Sequence, residues 1–455
     1  MKGNEQPENK ALLWLIGMGF FMETLDSTII NTSLPTMARD LNTSPLYMQS
    51  VIIAYSLTLA VCIPASGWLC DRFGIKKIFL LAISLFSLGS LFCSLSPTLN
   101  WLVISRVIQG MGGSMLMPVG RLALLRSYPG DKYLPALSFV AVPALIGPLV
   151  GPSLGGWISQ TFSWHWIFLV NIPIGILGII ATQKIMNVPE VSTQRKFDFV
   201  GFLQMTIFMV CVSLALDGLG EFNFSQGLIM LLFVTGFAAL IAYFFHAPKL
   251  KQPLISLRLF KKRNFSIGIL GNIFARMGST SMPFLIPMFL QLCLSYSPLD
   301  AGLAMLPVSI AAILAKRFIS PIITFVGYRR FLLWNTVVVG LSISTFALVT
   351  SSELTTLRYI LYFIFGFVNS AQFTAMNTFT MKDLSKDDSA DGNSVFSMVQ
   401  MLAMSFSVAA AASLLSGFMK NVDKLMAFQI TFLSMGMLTI ISMVIFWQID
   451  RRPQE

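Results

Sequence analysis

The chain has 455 residues, of which 55% are hydrophobic and only 11% charged, with a net charge of +11. Soluble domains carry about 25% charged residues, so this composition excludes a soluble globular fold. The basic residues punctuate apolar segments instead of gathering on one face or tail, which argues against a nucleic-acid partner.

A spanning helix needs about 20 mostly apolar residues. Residues 1–10 read as a polar tail. The run after them, 11–34, is too long for a signal-peptide core and lacks a small-residue cleavage site, so a retained first helix is expected. Further helices are predicted at 47–69, 78–96, 101–120, 134–157 and 166–186. Two more fall at 199–217 and 226–246, and a last six at 264–291, 299–316, 331–350, 357–380, 392–417 and 426–447. The expected class is an all-α polytopic membrane protein of fourteen helices.

The charges orient this array. With the N-terminus inside, 25 of the 31 lysines and arginines fall on the cytoplasmic side, among them Lys2, Arg195, Lys316, Arg317, Lys386, Arg451 and Arg452. Arg39, Arg358, Lys420 and Lys424 fall in outside loops, and Arg106 and Arg276 within helices. This is the bias of the positive-inside rule, with both termini cytoplasmic.

A shift of 253 residues lays Ser44-Pro45-Leu46 on Ser297-Pro298-Leu299, and Gly74-Ile75-Lys76-Lys77 on Gly327-Tyr328-Arg329-Arg330. Helix 2 therefore matches helix 10. Two six-helix halves are expected, 11–186 and 264–449, separated by linkers and two inserted helices within 187–263 and followed by a tail at 450–455. Transporters built from parallel repeats hold substrate near the midplane between the halves.

Between helices 2 and 3 the chain reads Gly67-Trp68-Leu69-Cys70-Asp71-Arg72-Phe73-Gly74-Ile75-Lys76-Lys77. Gly74 permits a tight turn, and the charges can pair or cap helix ends. Helix 4 puts Arg106, Gln109, Gly110 and Gly113 on one face. An arginine at that depth faces a cavity or a partner. Helix 5 carries Gly147, Pro148, Gly151, Pro152, Gly155 and Gly156. Glycines four apart make a close-packing face, and prolines bend the helix. Helix 1 carries Glu23 and Asp26, three apart on one face, then Asn31. A carboxyl taken out of water resists ionisation, so such a group can take up a proton on one side and release it on the other.

These strings resemble the major facilitator superfamily. The loop after helix 2 is similar to its G-x-L-x-D-R-x-G-R-K motif, with Ile75 at a usually basic position. The helix-5 string is similar to its antiporter motif, with Ser138 where the first glycine is expected. The helix-1 string and Trp164 to Gly175 resemble the 14-helix drug:proton antiporters of the EmrB/QacA type. The resemblance implies proton coupling by Asp26, with Glu23 and Arg106, although Arg106 could instead serve structure by bonding backbone carbonyls. It implies a cytoplasmic gate at Gly67, Asp71, Arg72, Gly74, Lys76 and Lys77. Thr324 replaces the aspartate in the second copy, so the gate is expected to be asymmetric. It also implies export, though close packing alone would select the same helix-5 glycines.

Glu23, Asp26, Asn31, Gln109 and Arg276 are the candidate substrate-cavity residues. Glu23 plus 253 is Arg276, and these two are expected to pair across the cavity or else to satisfy local polar groups. Asp217, closing helix 7, reads as interfacial. Phe20, Phe21, Phe274 and Phe284 could line a cavity or merely pack.

No cofactor is expected. Five cysteines without a C-x-x-C pair give neither a disulfide framework nor a metal site, and there is no nucleotide-binding glycine loop. The expected function is proton-coupled export of small molecules, multidrug type, by alternating access. A small organic anion or a metal chelate such as citrate is the alternative cargo, and a transport-inactive sensor the alternative class. No enzyme is expected. The expected partners are substrate, protons and the lipid bilayer, for a monomer in the bacterial cytoplasmic membrane.

Overall fold

The computed structural model describes residues 10–128, 130–188, 196–218, 224–385 and 388–450. Lys2, Arg195, Lys386, Arg451 and Arg452 lie outside the described residues. Among the described residues, fourteen helices are long and apolar enough to span a bilayer. The first half contains α1 (Lys10–Ile29), α2 (Pro45–Phe73), α3 (Ile75–Ser94), α4 (Leu99–Ser127), α5 (Gly130–Thr161) and α6 (Trp166–Ile185). The inserted pair is α7 (Phe199–Gly218) and α8 (Gln226–Lys249). The second half contains α9 (Arg263–Cys293), α10 (Pro298–Val326), α11 (Tyr328–Leu348), α12 (Thr355–Met381), α13 (Asp391–Met419) and α14 (Lys424–Phe446).

The chain alternates between two faces. Odd-numbered helices run from the near face, which holds Lys10 and Asp71, to the far face. Three predicted helices end elsewhere than expected; helix 4 runs on to Ser127, so Arg121 and Arg126 lie within it and not in a loop. Helix 1 stops at Ile29, and a short helix, Leu34–Asp40, follows beyond Asn31. Helix 10 continues to Val326, so Lys316 and Arg317 lie within the helix and not in a loop. Both are exposed, and long cationic side chains can extend toward the interface from such positions. Arg358 is a further correction. It sits inside α12, fully buried, with Nε donating to Val349 O, Nη1 to Tyr296 Oη and Nη2 to Ser351 O. Sequence position alone placed it outside because it lies so close to the helix start.

The repeat is visible in backbone geometry. Gly74 has φ +89° and Gly327 +81°, a region costly for residues with a Cβ. Lys76 Nζ donates to Gln183 O at the end of α6, and Arg329 Nη2 to Trp447 O just beyond α14. The two turns are thus anchored alike.

The halves meet at the far face. One apolar cluster joins Leu34 and Met37 of the first half to Phe284, Leu285, Phe289, Phe428 and Phe432 of the second. Gln291 Nε2 donates to Thr32 O at 2.9 Å across it. The α5 glycines allow the backbones to touch. A Cβ on Gly155 would lie 2.0 Å from Ile29 O of α1, and one on Gly156 2.2 Å from Pro298 O of α10. This end of the molecule is closed.

The inserted pair lies at the edge. Only 17% of α8's apolar window is buried, against 72% for α9, so α8 is a peripheral, lipid-facing helix and α9 a central one. Helix α7 packs against α8 on one side and against α2 and α13 on the other.

Candidate functional site

A cluster of polar side chains is buried within the first half. Helix α1 contributes Asp26, α4 contributes Arg106 and Gln109, α3 contributes Ser90 and Cys93, and α6 contributes Asn171. The helices come close enough because small residues line the crossings. A Cβ on Gly89 would fall 2.5 Å from the Gln109 backbone, and one on Gly112 2.4 Å from Phe86 N.

Arg106 Nη1 meets Asp26 Oδ2 at 2.6 Å, and both side chains are essentially inaccessible. The other carboxylate oxygen accepts from Gln109 Nε2 at 2.8 Å and Asn171 Nδ2 at 2.9 Å. Both amides also reach Ser90 Oγ, at 2.7 and 3.2 Å. Arg106 Nη1 donates to Gln109 Oε1 at 2.7 Å as well, and Nε to Val51 O at 3.4 Å. The guanidinium lies 4.1 Å from the centre of the Tyr55 ring. Every charge in this cluster is therefore paired and hydrogen-bonded, the condition under which burial of ions is tolerated.

Glu23 sits three residues nearer the near face, and it is different. It is buried, 9% exposed, and its Oε2 has no hydrogen-bond partner. The Tyr55 hydroxyl is likewise buried without a partner. Glu23 and Arg276 do not pair: no ion pair joins them among the described residues. Arg276 instead donates from Nε to Asn272 Oδ1 at 2.9 Å and from Nη2 to Asn377 Oδ1 at 3.4 Å, and lies 3.8 Å over the Phe373 ring. All these partners are neutral and belong to the second half.

Of the expected cavity residues, Asp26 and Gln109 touch, Glu23 lies three residues before Asp26 on the same helix, and Arg276 belongs to a separate cluster. Asn31 donates to Thr28 O, at the turn that ends α1. Among the aromatic candidates, Phe20 and Phe284 are buried core residues, Phe21 is partly buried against the far-face cluster, and Phe274 is 43% exposed.

At the near face, Asp71 pairs with Arg126 at 3.2 Å within the first half. Arg72 and Lys77 are exposed, and nothing approaches Gly67. In this conformation one polar contact joining the halves here is Arg121 Nη1 donating to Asn393 Oδ1 at 3.3 Å.

Asn171 falls within the Trp164-to-Gly175 string that carries the family resemblance, but its sequence position alone gave it no site role. Ser90 and Tyr55 were not singled out, since serine and tyrosine are common in such helices.

The Major Facilitator Superfamily profile matches residues 16–408, with an overlapping second match over 268–455. The chain belongs to this superfamily. It is a transporter and not an enzyme. It is 45% identical over 440 residues to a protein of Pectobacterium carotovorum subsp. carotovorum named "Putative multidrug resistance protein MdtD", covering 95% of this chain and 94% of that one. A protein of the same name from Salmonella typhi is 44% identical over 458 residues, covering 99% and 97%. Among solved structures, the nucleoside transporter NupG aligns with TM-score 0.69 at 13% identity, over 96% of this chain and 99% of that one. A POT family transporter aligns with TM-score 0.70 at 16% identity, over 98% and 96%. At such identities the likeness is one of fold.

Proposed function

We propose that this superfamily transporter is a proton-coupled exporter of small molecules working by alternating access. Its setting would be the bacterial cytoplasmic membrane, with both termini cytoplasmic and the near face inside. The observation that carries this reading is the Asp26–Arg106 pair buried with Gln109, Asn171 and Ser90. A membrane-depth carboxylate held by an arginine is the expected part of a proton relay. Glu23, buried beside it with an unpartnered oxygen, is the second proton-carrying group. The relatives' name, multidrug resistance protein, supports efflux of drug-like cargo. Gly67 to Lys77 form the cytoplasmic gate of this scheme, and residues 11–186 and 264–449 are its two moving units.

The test is transport in inverted membrane vesicles under an imposed pH gradient, comparing wild type with Asp26→Asn across a substrate panel. Gradient-driven uptake that disappears in the variant is expected. Undiminished coupled uptake would overturn the role of Asp26.

Arg276 favours a second reading of the cargo, a small organic anion or metal chelate such as citrate. Its guanidinium has side-chain amides and a phenyl ring for partners, with no carboxylate within ion-pair distance among the described residues. A buried cation with neutral partners can be completed by an anionic ligand. Competition between cationic dyes and citrate-like anions separates the two cargoes. Loss of anion transport alone in Arg276→Gln is the outcome this second reading requires.

A further inference from the structure

Asp217 reads as interfacial in the sequence, but the structure buries it. It lies at the far end of α7, 5% exposed, against Gln49 of α2, itself 0% exposed. Gln49 Nε2 donates to Asp217 Oδ1, while Gln49 Oε1 is buried with no partner. No lysine, arginine or histidine comes within 4.0 Å of the Asp217 carboxyl among the described residues.

Three physical facts disfavour a negative charge there. The group is out of water, and an isolated buried carboxylate is costly. It sits one residue before the end of α7, the negative end of the helix dipole. The helices around it offer no compensating charge. Residues 392–419 of α13 and 226–242 of α8 contain no ionisable residue. The part of α2 next to Gln49, residues 48–54, contains none either, and its next such group is Tyr55, under Arg106. Tyr47 and Lys420 stand at the helix ends, and no ion pair joins Lys420 to Asp217 among the described residues.

The orphaned amide oxygen completes the argument. An ionised Asp217 can only accept, so it has no hydrogen to offer the orphaned Gln49 Oε1. A protonated Asp217 donates, and a carboxylic acid and a primary amide can then make two bonds. We infer that Asp217 is a proton-binding residue, holding its proton as an acid–amide pair with Gln49 in the seam between the inserted helices and the first half. This goes beyond the coupling site at Asp26 and does not depend on it.

The position gives the proton mechanical meaning. Helix α7 is also bonded to the second half: Ser213 and Ser405 hydroxyls lie 3.1 Å apart, and Ser413 Oγ donates to Leu216 O at 2.7 Å. With the proton in place, α7 ties α2 to α13 at the far face. Release of the proton to water on that face leaves a carboxylate that can no longer donate to the amide, and the α2 side of the tie loosens.

The test is infrared difference spectroscopy of the full-length protein in lipid nanodiscs, titrated from acidic to alkaline pH. A protonated-carboxyl C=O band that titrates away in wild type between acidic and alkaline pH is expected to be absent in Asp217→Asn. The same band should shift in Gln49→Met, which keeps the carboxyl and removes its amide partner. Glu23→Gln and Asp26→Asn should leave it in place, so failure of their transport role does not bear on it. Identical carboxylic-acid regions in wild type and Asp217→Asn would overturn the inference. If Asp217→Asn does not fold, the absence of any shift in Gln49→Met would overturn it equally.

Discussion

Removing either member of the Asp26–Arg106 pair should destabilise the protein more than removing both. Asp26→Leu leaves a guanidinium 1% exposed, with Gln109 Oε1 and the Val51 carbonyl as its remaining acceptors. Arg106→Met leaves a carboxylate held only by the Gln109 and Asn171 amides. Breaking a buried pair by removing one partner costs about 3–5 kcal/mol, whereas replacing both by apolar groups of similar volume is often neutral. With an unfolding entropy of about 2.1 cal/mol/K per residue, a chain of 455 residues melts with roughly 1 kcal/mol/K. Each single variant should therefore lower Tm by roughly 3–5 °C. Asp26→Leu/Arg106→Met should recover much of that loss, giving a coupling energy of more than about 1 kcal/mol. The assay is thermal unfolding of the purified protein in detergent, followed by intrinsic fluorescence. Strict additivity of the two losses would refute the view that the pair acts as one buried unit.

Gly156→Val should push α5 off α10, because a Cβ there meets Pro298 O at 2.2 Å. Overpacking of this kind costs about 1–3 kcal/mol, and spin-label distances between the far ends of α5 and α10 should lengthen. Gly74→Ala should cost roughly 1 kcal/mol or more, since φ +89° is closed to a residue with a Cβ without strain; the readout is Tm, with Gly67→Ala, in open space, as the unaffected control. Asp198 gives a pH signature. Desolvation pushes its carboxyl up, but hydrogen bonds from His246, Gly201 N and Leu254 N outweigh this and leave it below the usual carboxylate range. A depressed carboxyl contributes stability that is present at neutral pH and lost as pH falls through and below the ordinary carboxylate range. Asp198→Asn should show a smaller fall in Tm over that acidic interval than wild type.

The helices were legible because lipid demands long apolar runs and charges mark their ends. That same logic misplaced Arg358 and put Arg121, Arg126, Lys316 and Arg317 in loops. Arg358 is satisfied by backbone carbonyls and Tyr296 inside its helix, and Lys316 and Arg317 interrupt an apolar run that the helix continues through. The repeat offset placed the two glycine turns correctly, because turn geometry depends on local residues. It did not predict a contact between Glu23 and Arg276. Equivalent depth in two helices sets the level of a side chain, but its partner depends on how the halves are rotated and on which neighbours are nearer. Asp26, Arg106 and Gln109 were visible as costly polar residues at helical spacing. Their convergence with Ser90 and Asn171 was not, since it arises from crossings of four helices. Asp217 was misread because a helix-end position resembles an interface until α2 and α13 are seen to cover it.

The glycine edge of α5 has a kinetic consequence. At Gly155 and Gly156 the approaching atoms on both neighbours are main-chain carbonyls, and Gly302 of α10 returns the contact onto Pro152 O. Side chains that interlock must change rotamer to part, and each such change adds to an activation barrier. At Gly156 and Gly302 peptide backbone lies directly against peptide backbone across the seam between the halves. At these two points the halves can separate or re-form like plain bearing surfaces, with no side chain to unpick between them.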